Sequence, residues 1–210
     1  GGVEKGGIRV DESIECRGYI RGTETENLRP RCWGWRPERQ EFFTHGVLQP
    51  VEAISASCNI YFYTIADRLG PAAVHDWYVE CGLEAEARPG LGQSLDGTFD
   101  ESKVQGPIDR MIVGIGQGPV AWTPLHAATA YARLAMGGAE IRPRLVLDDA
   151  VSADPPRGDW NQRAVSMALE GMRASAREGT ARAIQRTSLD GPSEPLLEFP
   201  DLGSARPTVW

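Results

Sequence analysis

Apolar residues recur at three- and four-residue spacing through Val51, Ile54, Cys58, Phe62, Ile65 and Leu69. No other feature constrains the fold as strongly. It predicts helix over residues 47–69 with one face buried. Ser57, Cys58 and Asn59 lie between the two halves of that pattern, where Ser and Asn side chains compete with the helix for backbone hydrogen bonds. Gly70 ends the run, and Pro71 suits the first position of a second helix over 71–81, closed by Gly82. Thr123 caps a third helix, with Pro124 at its first position and Gly137-Gly138 beyond Leu134. A fourth runs from Asn161 to Arg177.

The rest reads as connection. Residues 83–107 are rich in turn formers, and Met111 to Gly118 is a short apolar stretch running into a Gly-rich turn. Residues 141–147 suggest a short strand, and residues 148–159 and 186–204 read as loops. The run Ala205-Arg-Pro-Thr-Val-Trp210 reads as a strand just beginning. Residues 1–46 are irregular, and so long a segment implies a function or a staple. There is no internal repeat.

The net charge of −7 and scattered positive charges argue against a nucleic-acid partner. No apolar run reaches membrane-spanning length, and no leader pattern opens the chain.

Cys16, Cys32, His45 and Cys58 form one candidate constellation, since three thiols and an imidazole are a closed tetrahedral zinc set. Their spacing is long, unlike the paired Cys-x-x-Cys of small zinc modules. A Cys16–Cys32 disulfide and free buried thiols stand as alternatives. Cys81 closes a helix and reads as a small buried hydrophobe. His75 and His126 lie on helices with no partner evident from the sequence, and no role is assigned to them.

The ordered blocks point further. Ser57-Cys-Asn59 is followed by Ala66-Asp-Arg-Leu-Gly70, then Gly114-Ile-Gly-Gln-Gly118, Thr123-Pro-Leu125, Ala130-Tyr-Ala132 and Met136-Gly-Gly138. Gly171-Met172 and Glu178-Gly-Thr-Ala181 come last. In this order the set resembles the transpeptidase domain of class B penicillin-binding proteins, most like the elongation type called penicillin-binding protein 2. That family uses Ser-x-x-Lys, Ser-x-Asn and Lys-Thr-Gly. Only the second occurs here. No Ser lies three residues before Lys5 or Lys103, and no Lys-Thr-Gly is present.

The resemblance implies the α/β penicillin-recognising fold, an antiparallel sheet with a helical subdomain. Residues 1–210 would be a partial transpeptidase domain supplying mostly the helical part and few sheet strands. The first signature is then expected upstream and the third on a strand entered at Trp210. The implied activity is serine D,D-transpeptidation of peptidoglycan, with acylation by β-lactams; the fragment, lacking the nucleophile, is expected to be inactive alone. Ser57 would relay a proton between the absent Lys and the leaving amine. Asn59 would position the substrate backbone and that Lys. Cys58 should turn away from them. Taken alone, the triplet reads first as a helix cap or break. Gly114–Gly118 reads as close backbone packing, Thr123 as a cap, Glu178–Ala181 as a helix terminus and Gly171-Met172 as core.

Some elongation-type members have a similar zinc site, which favours Cys16, Cys32, His45 and Cys58 as structural zinc ligands. Implied partners are the D-Ala-D-Ala stem peptide, β-lactams and a glycosyltransferase of the elongation machinery. The implied location is the extracytoplasmic face of the cytoplasmic membrane. A β-lactamase or β-lactam sensor of the same fold, and an inactive zinc-stapled binding module, are the alternatives.

Overall fold

The structure is a computed structural model that describes residues 9, 12–20, 30–84, 96–141, 143 and 158–183. Six helices dominate it. They are α1 (Pro50–Ser55), α2 (Asn59–Leu69), α3 (Pro71–Glu80), α4 (Pro107–Val113), α5 (Pro124–Ala135) and α6 (Gln162–Arg177). The strands are two or three residues long and pair antiparallel: β1 (Ile14–Cys16) with β4 (Gly46–Leu48), β2 (Trp35–Arg36) with β3 (Glu41–Phe42), and β5 (Thr98–Phe99) with β6 (Val120–Ala121). Among the described residues no helix is long and apolar enough to cross a membrane.

The helix boundaries follow local chemistry. Five of the six helices begin on Pro or just after an Asn cap: Pro50, Pro71, Pro107 and Pro124 stand at first positions, and Asn161 Oδ1 accepts from Ala164 N at 3.1 Å. At the start of α1, Gln49 N donates to Glu52 Oε2 at 2.6 Å. Thr123 caps α5 as expected, its Oγ1 accepting from His126 N at 3.3 Å.

The expected continuous helix over 47–69 is divided. Residues 46–48 pair with β1 instead, in the register Ile14↔Leu48, Glu15↔Val47 and Cys16↔Gly46. The helical run then breaks at 56–58 because Ser57 adopts a left-handed φ of 50°. The first departure comes from a strand contact that local periodicity does not encode, whereas the break at Ser57 agrees with the triplet read as a helix break. Residues 1–46, expected to be irregular, carry short strands in their described part. Pairings of two or three residues are too brief to show alternation. Met111 belongs to α4, which precedes the glycine turn. The described part of 83–107 holds β5 and a single 3-10 turn, Glu101–Lys103. Most of 141–159 and all of 186–210 lie outside the described residues; Ile141 and Pro143 are in neither helix nor strand.

Two close approaches set the helix layers. On α6, a Cβ at Gly171 would fall 2.7 Å from Ile54 Cβ of α1. At the end of α4, one at Gly114 would fall 2.5 Å from Ala66 Cβ and 2.8 Å from the Phe62 carbonyl of α2. Only glycine lets these backbones approach so closely, which bears out Gly171 as core and Gly114 as close packing. One core joins Ile14, Cys16, Cys32, Leu48, Ala53, Cys58, Ile60 and Tyr61. The second joins Ala66, Val74, Leu83, Phe99, Val104 and Val113.

Candidate functional site

The α1–α2 junction is a helix terminus closed around a serine. Cys58 N donates to Ala53 O at 2.9 Å and Ser57 N to Ile54 O at 3.1 Å. This pair of bonds is the Schellman arrangement, in which the left-handed position after the helix is usually glycine. Here it is Ser57, at a cost of roughly 1–2 kcal/mol from crowding of its Cβ. Strain of this kind in a non-glycine residue is concentrated at functional sites. The turn also sorts the triplet. Ser57 is exposed, Cys58 is fully buried and Asn59 is half-buried as the first residue of α2.

The other carbonyls at the end of α1 are taken by distant parts of the chain. Thr180 N donates to Ser55 O at 3.2 Å, and Trp33 Nε1 donates to Ala56 O at 3.0 Å. Thr180 Oγ1 also lies 2.6 Å from Ser57 Oγ and 3.3 Å from Ser175 Oγ. Asn59 Nδ2 donates to Arg31 O at 3.2 Å, tying the triplet to the segment that carries Cys32.

Behind the turn, Cys16, Cys32, His45 and Cys58 come together, all four ligand atoms within 4.8 Å of one another. Cys16 Sγ and Cys32 Sγ lie 3.5 and 3.3 Å from His45 Nδ1. Local structure explains the meeting. The β1–β4 register sets Cys16 opposite Gly46, beside His45, and Cys32 N donates to Gly18 O at 2.7 Å. All three thiols are at most 1% exposed, and all four cysteines of the chain are free of disulfides. Hydrogen bonds from the Cys32 and Cys58 thiols hold the Cys16 sulfur far below the ordinary thiol range. Its proximity and their burial push Cys32 and Cys58 upward. A cluster without a cation thus favours one thiolate and penalises the next.

A family profile described as the penicillin binding protein transpeptidase domain matches residues 2–191. The chain belongs to that family.

Within it, the transpeptidase-domain chain is similar to the peptidoglycan D,D-transpeptidase MrdA of Salmonella typhimurium, 27% identical over 167 residues, which cover 69% of this chain and 26% of MrdA. Its fold matches a crystal structure of Pseudomonas aeruginosa PBP2 in complex with WCK 5153 (TM-score 0.71, 26% identity, 89% of this chain and 44% of that one). It also matches PBP2 of Helicobacter pylori in a complex with MreC (TM-score 0.71, 20% identity, 90% and 36%). The chain spans between 16% and 26% of the length of the curated relatives it matches. The likeness to solved transpeptidases agrees with the expected α/β fold and its mostly helical share.

Several side chains of this transpeptidase domain were not evident as site residues from sequence. Thr180 reads there as part of a helix terminus, and Ser175 and Trp33 carry no local sign of their contacts. The only signal was the Glu178-Gly-Thr-Ala block itself. The two histidines without an assigned role do have partners. His75 Nε2 lies 2.9 Å from Glu84 Oε1 and its Nδ1 2.8 Å from Glu101 Oε1, with the ring stacked on Phe99. Glu84, and then Glu101, raise the His75 pKa. His126 is 3% exposed and completes the α5 cap, Thr123 N donating to its Nδ1 at 3.2 Å. Cys81 is only partly buried, beside an apolar hollow with Trp77, Tyr78 and Trp122. Burial there pushes the Tyr78 phenol up to about 12.

Proposed function

We propose that this chain is the central part of a serine D,D-transpeptidase that cross-links peptidoglycan and is acylated by β-lactams. The observation that carries the reading is the strained, exposed Ser57 at a helix junction inside a transpeptidase domain. An exposed hydroxyl held in a rigid turn is a suitable proton carrier. Ser57 would take the proton released when a nucleophilic serine attacks a D-Ala-D-Ala carbonyl and pass it to the leaving amine, as general acid–base groups do. Asn59 would position the peptide. These 210 residues contain no Ser-x-x-Lys and no Lys-Thr-Gly, so the nucleophile and the strand beside it would come from elsewhere in the parent protein. The isolated chain is accordingly inactive.

Cys16, Cys32, His45 and Cys58 would hold a structural zinc. The donor set fits: three buried sulfurs and a ring nitrogen converge, and zinc–sulfur distances of about 2.3 Å tolerate such separations. His45 Nε2, on the far side of the ring, is buried with no hydrogen-bond partner among the described residues. A bound divalent cation would stabilise the thiolates that the cluster otherwise penalises. It would tie β1, β4 and the Cys32 segment to the back of the turn that presents Ser57.

The complex of the related PBP2 with MreC supports a partner of that kind for the parent protein. A glycosyltransferase of the elongation machinery is the further partner proposed. The proposed location is the extracytoplasmic face of the cytoplasmic membrane.

The test is acylation of the full-length protein by fluorescent penicillin, alongside Ser57→Ala and the isolated 210-residue chain. The parent labels, Ser57→Ala labels slower by about 10²–10⁴-fold, and the isolated chain does not label. A full-length protein that never labels would overturn the reading.

A further inference from the structure

Ser57, Thr180 and Ser175 form a line of hydroxyls running from the surface inward. Ser57 and Thr180 are exposed, whereas Ser175, on the inner face of α6, is 8% exposed. The separations are 2.6 Å from Ser57 Oγ to Thr180 Oγ1 and 3.3 Å from Thr180 Oγ1 to Ser175 Oγ. The first is a short hydroxyl–hydroxyl bond between residues 123 positions apart.

The backbone holds Thr180 in place independently of that bond. Thr180 N donates to Ser55 O at 3.2 Å, and Ala181 N to Ser175 O at 3.1 Å. A Cβ at Gly179 would fall 2.2 Å from the same Ser55 carbonyl, so only glycine lets the end of α6 come this close. The end of α6 is therefore pressed onto the end of α1, and Thr180 meets Ser57 without flexible side chains between them.

A hydroxyl has one proton to donate and two lone pairs to accept. When Ser175 donates to Thr180 and Thr180 donates to Ser57, the single Ser57 proton is left pointing out of the line. Ser57 then has a fixed rotamer, one satisfied lone pair and a free O–H. Without Thr180 the exposed Ser57 hydroxyl rotates among staggered wells and bonds water.

We infer that Thr180 is a positioning residue for Ser57: its hydroxyl, backed by Ser175, orients the Ser57 hydroxyl for proton transfer. This inference rests on the reading of Ser57 as the proton relay.

The test is a double-mutant cycle in the full-length protein, read as the second-order rate of acylation by fluorescent penicillin. Thr180→Val keeps the volume and removes the hydroxyl. It lowers the rate about tenfold, the worth of one neutral hydrogen bond, while Thr180→Ser retains it. In a Ser57→Ala background Thr180→Val has no further effect, because the group it orients is gone. If valine prevents folding, Thr180→Ala supplies the same comparison. An unchanged rate in Thr180→Val, or an equal loss with and without Ser57, overturns the inference and leaves the role of Ser57 standing. If Ser57→Ala acylates at the parental rate, the reading of Ser57 falls and this inference falls with it.

Discussion

The two sides of the Ser57 turn are held by different physics. Behind it, Cys58 is fully buried among Cys16, Cys32 and His45, on a wall built by the β1–β4 pair. In front, Ser57 is exposed and held by its own turn and by the Thr180 hydroxyl. The back depends on burial and on a donor set suited to a cation. The front depends on a few directional bonds and a strained φ. One dipeptide thus joins a buried thiol cluster to an exposed hydroxyl. The left-handed Ser57 is what separates them, because it sends consecutive side chains to opposite sides.

The largest way to break this contrast is to remove the anchor. Metal analysis of the folded full-length protein should find about one zinc per chain. Chelation or Cys58→Ser should lower the thermal midpoint by more than about 10 °C, since structural zinc carries about 10–16 kcal/mol of apparent folding free energy in small peptides. A protein free of zinc, with a midpoint indifferent to chelator, would reduce the cluster to packed thiols.

A second change acts on the front alone. Ser57→Gly removes the Cβ that the left-handed turn crowds, so the midpoint should rise by about 2–4 °C, corresponding to roughly 1 kcal/mol. Penicillin acylation should fall as it does for Ser57→Ala. Stability and activity moving in opposite directions would mark the strain as a functional cost. A midpoint that drops instead would mean that the hydroxyl bonds, not the backbone, dominate at this position.

The smallest effect lies away from both sides. His75 gains Glu84 and Glu101 as partners on folding, so its pKa is raised above the ordinary value near 6.5. A group of this sign contributes fully below about pH 6.5 and loses its contribution as pH rises through the raised value. The wild-type midpoint should therefore fall slightly more than that of His75→Gln as pH is raised from about 6.5. Both curves should coincide in slope if the pair is fully screened by solvent, since the residues are partly exposed.

Much of the helical frame was legible because its signals are local. Pro71, Thr123-Pro124, Asn161 and the glycines after each run act within one turn of the helix they begin or end. The four ligand candidates were legible by residue type, and Cys58 was correctly expected to turn away from Ser57. What was not legible involves partners far apart in sequence. The 47–69 run starts late because Gly46–Leu48 pairs with Ile14–Cys16, and periodicity over apolar residues cannot report a strand partner elsewhere. His126 completing a cap is a local event, but His is an unusual third residue for that role. His75 needed the chain to bring Glu101 back to it.

By itself, the sequence determined the bounds of α3, α5 and α6 and the end of α2, which residues could ligate a metal, and that a Ser-x-Asn triplet interrupts an apolar stripe. Those are properties of neighbouring residues, set by backbone sterics, capping hydrogen bonds and side-chain chemistry. Only the tertiary structure decided that Cys16, Cys32, His45 and Cys58 converge, that Ser57 is left-handed, and that Thr180 reaches it. Convergence of groups dozens of residues apart depends on strand register and helix packing, in which many weak contacts act together and none is readable alone.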